Sequence, residues 1–154
     1  MNVSPLNILL ADDDTDDCCF FKDALAKLPI STCLNAVNDG EQLMKLLTQE
    51  QYILPDVLFL DLNMSRKNGF ECLEEIKGNV KIKHLPVIIF STSYDKERVN
   101  LLYENGAHYF MRKPAEFMHL RDLIHQGLLH VIRYSSLKEI MQPSKENFVL
   151  TYQK

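Results

Sequence analysis

No stretch of this 154-residue chain approaches the ~20 consecutive apolar residues that a membrane-spanning helix requires. Its opening, Met1-Asn2-Val3-Ser4-Pro5, has neither the basic nor the apolar segment of a secretory leader. A soluble chain without membrane contact and with a cytoplasmic location is the expectation. Cys-x-x-Cys pairs are also missing. Cys18 and Cys72 lie among apolar residues at helical spacing, so the four cysteines, with Cys19 and Cys33, predict buried thiols rather than disulfides or a zinc site. A basic excess is absent as well: 17 basic against 21 acidic residues give a formal charge of −4, which removes the electrostatic reason to expect nucleic-acid binding. Repeats and low-complexity segments do not occur, and the length suits one domain better than two.

What the chain does contain is an alternation of strand-length apolar runs with helix-length amphipathic segments, the rhythm of a parallel α/β fold. The strand candidates are Asn7–Ala11, Thr32–Val37, Asp56–Leu60, Pro86–Phe90 and His108–Met111. Several are nearly continuous apolar runs, as expected of strands covered on both faces. Five helices fit around them. The first is predicted from Thr15 to Leu28, stopped by Pro29, and the fifth from Glu116 to Ile132. Asp39 and Asn68 are each followed three positions later by Gln42 or Glu71, side chains able to return a capping hydrogen bond, and Asp95 suits the cap of the fourth helix.

In an open parallel sheet, ligands bind beyond the carboxyl ends of the strands. The residues there are Asp12 and Asp13, Asp61, Ser91 and Thr92, and Lys113-Pro114. The segment "ADDDTDD" places five carboxylates within six positions. Helix capping accounts for three of them: Asp14 as N-cap, Asp17 at the third helical position, and Asp16 in the first turn, favourable to the macrodipole. Asp12 and Asp13 lie too early for that duty and would repel one another at a buried strand end without a cation or a proton. An EF-hand does not explain them, because Asp17 stands where glycine must turn the loop and a strand precedes where a helix should. Asp61 is equally unclaimed, since the third helix has Asn68 as its cap. Three such acids can hold Mg²⁺ through oxygen ligands, and one can act as a nucleophile toward phosphorus. Phosphoryl transfer also needs charge and hydrogen-bond partners, which Lys113 and Ser91 can provide.

These residues resemble the receiver domain of two-component response regulators. The motifs are Asp12-Asp13 after "NILLA", "PDVLFLDLNMSRKNG" around Asp61, "LPVIIFSTS" around Ser91, and "GAHYFMRKP" ending in Lys113-Pro114. The resemblance spans nearly all of residues 5 to 132. It implies a flavodoxin-like, doubly wound five-stranded parallel sheet of order 2-1-3-4-5 with five flanking helices. It further implies Asp61 as phosphoacceptor, and Mg²⁺ held by Asp12, Asp13 and Asp61 with the backbone carbonyl of Asn63. Ser91, with Thr92 beside it, would be the switch hydroxyl, Phe110 the switch aromatic, and Lys113 the phosphoryl-pairing lysine, before Pro114, a proline often cis in the family. The partner implied is a sensor histidine kinase or a histidine phosphotransfer protein. Ser65, Thr92 and Phe110 depart from the usual proline, alanine or glycine, and tyrosine. "STSYDKERV" and "YENGAHYFMRKPAEFMHL" are similar to the stand-alone regulators that partner cyanobacterial phytochromes.

The expectation is therefore a phosphoacceptor signalling domain, self-phosphorylated from phosphodonors and autodephosphorylating, rather than an enzyme acting on a separate substrate. An aspartate-nucleophile phosphatase of the haloacid-dehalogenase type would need an acid two residues past Asp61, where Asn63 stands. A pseudo-receiver scaffold would not need every acid, hydroxyl and lysine to be present. Residues 133–154 fall outside the resemblance and read as an extension without an output domain. Leu137, Ile140 and Met141 predict a short helix before Pro143, and Phe148-Val149-Leu150-Thr151-Tyr152 an extended segment. That segment is expected to dock on its own domain or on a second copy. A homodimer would then form through it or through the surface of the fourth helix, fifth strand and fifth helix.

Overall fold

The computed structural model describes residues 4–137 and 142–152, with the side chains of 134–137 left aside. Six strands form one parallel sheet in the order β2-β1-β3-β4-β5-β6: β1 (Leu6–Ala11), β2 (Thr32–Val37), β3 (Val57–Leu60), β4 (Val87–Ser91), β5 (Tyr109–Arg112) and β6 (Val149–Leu150). The helices are α1 (Thr15–Ala26), α2 (Gly40–Leu47), α3 (Gly69–Lys77), α4 (Lys96–Glu104) and α5 (Phe117–Leu137).

The pleat sends alternate strand residues to opposite faces. Ile8 and Leu10 of β1, Val57 and Phe59 of β3 and Ile88 and Phe90 of β4 pack with Phe21 and Leu25 of α1 and Ile124 and Leu128 of α5. Leu9, Leu58, Leu60, Val87 and Ile89 face the other way, onto Leu43 of α2, Leu73 of α3 and Leu102 of α4. The sheet is thus covered on both sides, which accounts for strands reading as continuous apolar runs.

The caps form where the acids and amides fall. Asp14 accepts from Asp17 N at 3.1 Å, Asp39 from Gln42 N at 2.8 Å and Asp95 from Glu97 N at 3.0 Å. At α3 the exchange is reciprocal between Asn68 and Glu71. At α2 the Gln42 side chain returns its bond to the N–H of Asn38, one residue before the cap.

Three expectations are corrected. Of the cysteines expected to be buried only Cys72 is; Cys18 is half-buried, and Cys19 and Cys33 are exposed, Cys33 on the edge strand β2. The sheet has six strands, not five, because β6 adds in parallel beside β5, with Phe110 opposite Val149 and Met111 opposite Leu150. The physical reason is burial: Phe148 is 1% exposed, its ring lies edge-on to Tyr103 at 5.2 Å, and its carbonyl accepts from Phe110 N at 3.0 Å. The run from Phe148 thereby hides apolar surface and covers the β5 edge. The fifth helix also continues past Ile132 to Leu137. The short helix expected through Ile140 and Met141 lies outside the described residues. The chain resumes at Gln142, whose amide donates to Ala107 O at 2.8 Å, and at Pro143, whose carbonyl accepts from Tyr103 Oη at 2.8 Å. Among the described residues, no helix is long and apolar enough to cross a membrane.

Candidate functional site

The sheet hydrogen bonding runs past the formal strand ends and fixes the residues that follow. Asp12 N donates to Val37 O at 3.1 Å, Asp61 N to Ala11 O at 2.9 Å, and Lys113 N to Ser91 O at 2.8 Å. Three residues at the carboxyl rim, Asp12, Asp61 and Lys113, are thereby each tied to a neighbouring strand. Asp12 and Asp61 are buried, while Asp13 is exposed, and one carboxylate oxygen from each lies within 4.8 Å of the others. The loop after Asp61 folds back closely. Gly69 N donates to Leu62 O at 3.0 Å, and a Cβ at Gly69 would stand 2.4 Å from the Asp61 carbonyl oxygen and 2.8 Å from Leu62 Cα. Arg66 in that loop takes a left-handed φ of 67°, just after Ser65, a conformation that costs a non-glycine residue roughly 1–2 kcal/mol.

Lys113 is the charge at the centre. Its side chain is 8% exposed, its ammonium lies 4.9 Å from the Phe90 ring centroid, and Nζ donates to Asp12 Oδ2 at 2.7 Å and to Asp17 Oδ2 at 2.8 Å. Asp61 Oδ2 stands at 3.6 Å. Burial acts to lower the Lys113 pKa, but the hydrogen bonds it donates to Asp12 and Asp17 and the charges of Asp61 and Asp12 outweigh it, and the pKa rises. The ammonium stays charged. Burial pushes the Asp61 carboxyl above its ordinary range; Lys113 opposes this, and the neighbouring Asp12 adds to it.

All four residues predicted at the centre, Asp12, Asp13, Asp61 and Lys113, meet there. Asp12, expected to need a cation or a proton, has the Lys113 ammonium as its cation, and Asp13 faces solvent. Ser91 is fully buried at the end of β4, its Oγ 3.4 Å from Ser93 Oγ and accepting from Ser93 N at 3.4 Å. Thr92 is exposed at the rim. Asn63 N donates toward Asp61 Oδ1 at 3.4 Å, and the Asn63 amide donates to Ser93 Oγ at 3.4 Å. Phe110 is buried, with Tyr94 edge-on at 6.0 Å and a cavity of about 250 Å³ beside it lined by Leu62, Ser93 and Val99 among others. The Lys113–Pro114 peptide is trans, since the described residues contain no cis bond. An X–Pro bond prefers trans by only about 0.5–1 kcal/mol, so local context selects the isomer.

Three contributors escaped the sequence reading: Ser93, Tyr94 and Asp17. The capping role satisfied the account of Asp17, although its carboxylate is directed at Lys113. No local signal could have found it, because a capping position accounts for an acid there by itself.

A parallel sheet with two buried acids and a lysine at its carboxyl rim defines a class, and the chain belongs to it: residues 8–125 match the response regulator receiver domain family, so this is a receiver of two-component signalling. Response regulator Rcp1 of Synechocystis sp. (strain ATCC 27184 / PCC 6803 / Kazusa) is 31% identical over 128 residues, covering 80% of this chain and 86% of Rcp1. Among solved structures, the Mn²⁺-bound form of Rcp1 superimposes with a TM-score of 0.72 at 28% identity, covering 91% of this chain and all of that one. The phosphorylated cyanobacterial phytochrome response regulator RcpA gives a TM-score of 0.74 at 28% identity, covering 92% of this chain and all of RcpA.

Proposed function

We propose that the chain acts as a stand-alone receiver whose Asp61 accepts a phosphoryl group from a sensor histidine kinase or a histidine phosphotransfer protein. The observation that carries this reading is the buried Asp61 carboxylate, in reach of Asp12 and Asp13 within 4.8 Å and facing the Lys113 ammonium at 3.6 Å. An Asp61 oxygen forms the new P–O bond as the donor's P–N bond breaks, and the imidazole leaves with the electron pair and takes up a proton. The donor set fits Mg²⁺: three carboxylates are hard oxygen ligands, and Asp12, Asp13 and Asp61 would hold the ion with the Asn63 carbonyl. When bound, the ion supplies charge neutralisation for the incoming phosphoryl oxygens. Lys113 pairs with those oxygens, and Ser91 donates its hydroxyl to one of them. Drawing Ser91 inward biases the Phe110 ring and, through β5, the partner-binding surface of α4, β5 and α5. Residues 133–154 then serve as an extension of the domain of residues 1–132 rather than an output domain, with a homodimer through this surface as a further element of the reading.

Incubation with Mg²⁺ and acetyl phosphate should add one phosphoryl mass to the intact chain. Chelating the metal or introducing Asp61→Asn should abolish the addition. Continued turnover of donor by an unlabelled chain would favour a phosphatase instead.

A further inference from the structure

Lys113 has a strong partner outside the acid trio. Asp17 Oδ2 accepts from its ammonium at 2.8 Å, as closely as Asp12 Oδ2 does at 2.7 Å. The capping geometry uses only the backbone N–H of Asp17, which donates to Asp14, and leaves the carboxylate for this contact. The Lys113 side chain is 8% exposed while that of Asp17 is 29% exposed, so the ammonium is poorly served by water and depends on protein oxygens. Asp12 belongs to the group able to hold a metal ion; Asp17 does not. With a metal bound, Asp17 is the anion left to hold Lys113 to the α1 side of the site.

We propose that Asp17 is a positioning residue that competes with the phosphoryl group for Lys113. This rests on Asp61 being the acceptor. An arriving phosphoryl group brings oxygens that need the same ammonium, 3.6 Å from Asp61 in the resting chain. Asp17 opposes that arrival in two ways. It retains the cation, and its own negative charge repels the incoming anion, so both effects lower affinity for a phosphoryl-like group. Removing the charge should raise that affinity on the order of tenfold, the equivalent of one pKa unit of interaction.

The test uses the full chain at saturating Mg²⁺, established separately for each variant, with beryllofluoride as the phosphoryl surrogate and fluorine NMR as the readout. Asp17→Asn and Asp17→Ser should bind on the order of tenfold more tightly than the parent, while Asp17→Glu, which keeps the charge, should stay near the parent. A merely structural role would instead weaken binding in the neutral variants. If the neutral variants bind no tighter, or Asp17→Glu tightens equally, the competition is refuted. The parent and Asp61→Asn separate the two levels. A parent that does not bind, or an Asp61→Asn that binds like it, removes the acceptor reading and this inference with it. A parent that binds only through Asp61, with neutral Asp17 variants no tighter, removes this inference alone.

Discussion

His108 stands one residue before β5 with Nδ1 accepting from Val87 N at 3.1 Å, so the neutral tautomer carries its proton on Nε2. Burial, with the charge of Lys77 adding to it, lowers its pKa from 6.5 to about 3. Between those values the unfolded chain binds a proton that the folded chain does not. The stability present above pH 6.5 is therefore lost as pH falls toward 3. His108→Asn keeps an acceptor for Val87 and should flatten the dependence of urea-melt stability on pH across that window. An unchanged slope would show that other groups set it. Gly69 is a second sensitive position, for packing rather than charge. Gly69→Ala would press a methyl against the Asp61 carbonyl, and the expected loss is about 1–3 kcal/mol in urea denaturation, with slower labelling of Asp61. A loss below about 0.5 kcal/mol would mean that the loop yields freely. Asp12, Asp13, Asp61 and Lys113 could be read from the sequence because strand ends are marked by the apolar runs before them. Asp17 could not, because a capping position explains an acid equally well whether or not its carboxylate reaches across to another strand.

Strands and helices were readable wherever a local signal fixes them: caps at Asp14, Asp39, Asn68 and Asp95, and apolar runs for β1 to β5. β6 was harder, because two paired residues carry little periodicity and their place depends on β5, distant in sequence. Its apolar character was visible, but membership in the sheet is a tertiary fact. The anchor is Phe148, which fills space against Tyr103 and the α2–α4 side of the core. Phe148→Ala should cost about 3–5 kcal/mol, the usual range for a buried phenylalanine, and should still accept a phosphoryl group at Asp61, since β6 lies on the far side of β5 from β3. A loss under about 1 kcal/mol would show that the segment contributes little to the core. Farther along, Thr151 O accepts from the Gln126 amide at 3.2 Å and Tyr152 stacks on His119 at 3.6 Å between ring centroids, so Thr151 and Tyr152 lie along α5.

The molecule is a doubly wound sheet whose interior supports one chemical edge. Both faces are packed, and among the described residues the buried polar groups Asp12, Asp39, Asp61 and Ser91 follow or end strands at the carboxyl rim, where hydrogen bonds tie the backbone of neighbouring strand ends together. At the opposite rim, among the described residues, His108 is the buried polar group, and its Nδ1 accepts from Val87 N. The account stands on Asp61 being the atom-level acceptor, and peptide mapping after Mg²⁺-dependent labelling with acetyl phosphate tests that most directly. The whole of the added phosphoryl mass should map to the peptide containing Asp61 and vanish in Asp61→Asn; a label on any other residue, or one that survives the substitution, would contradict the account.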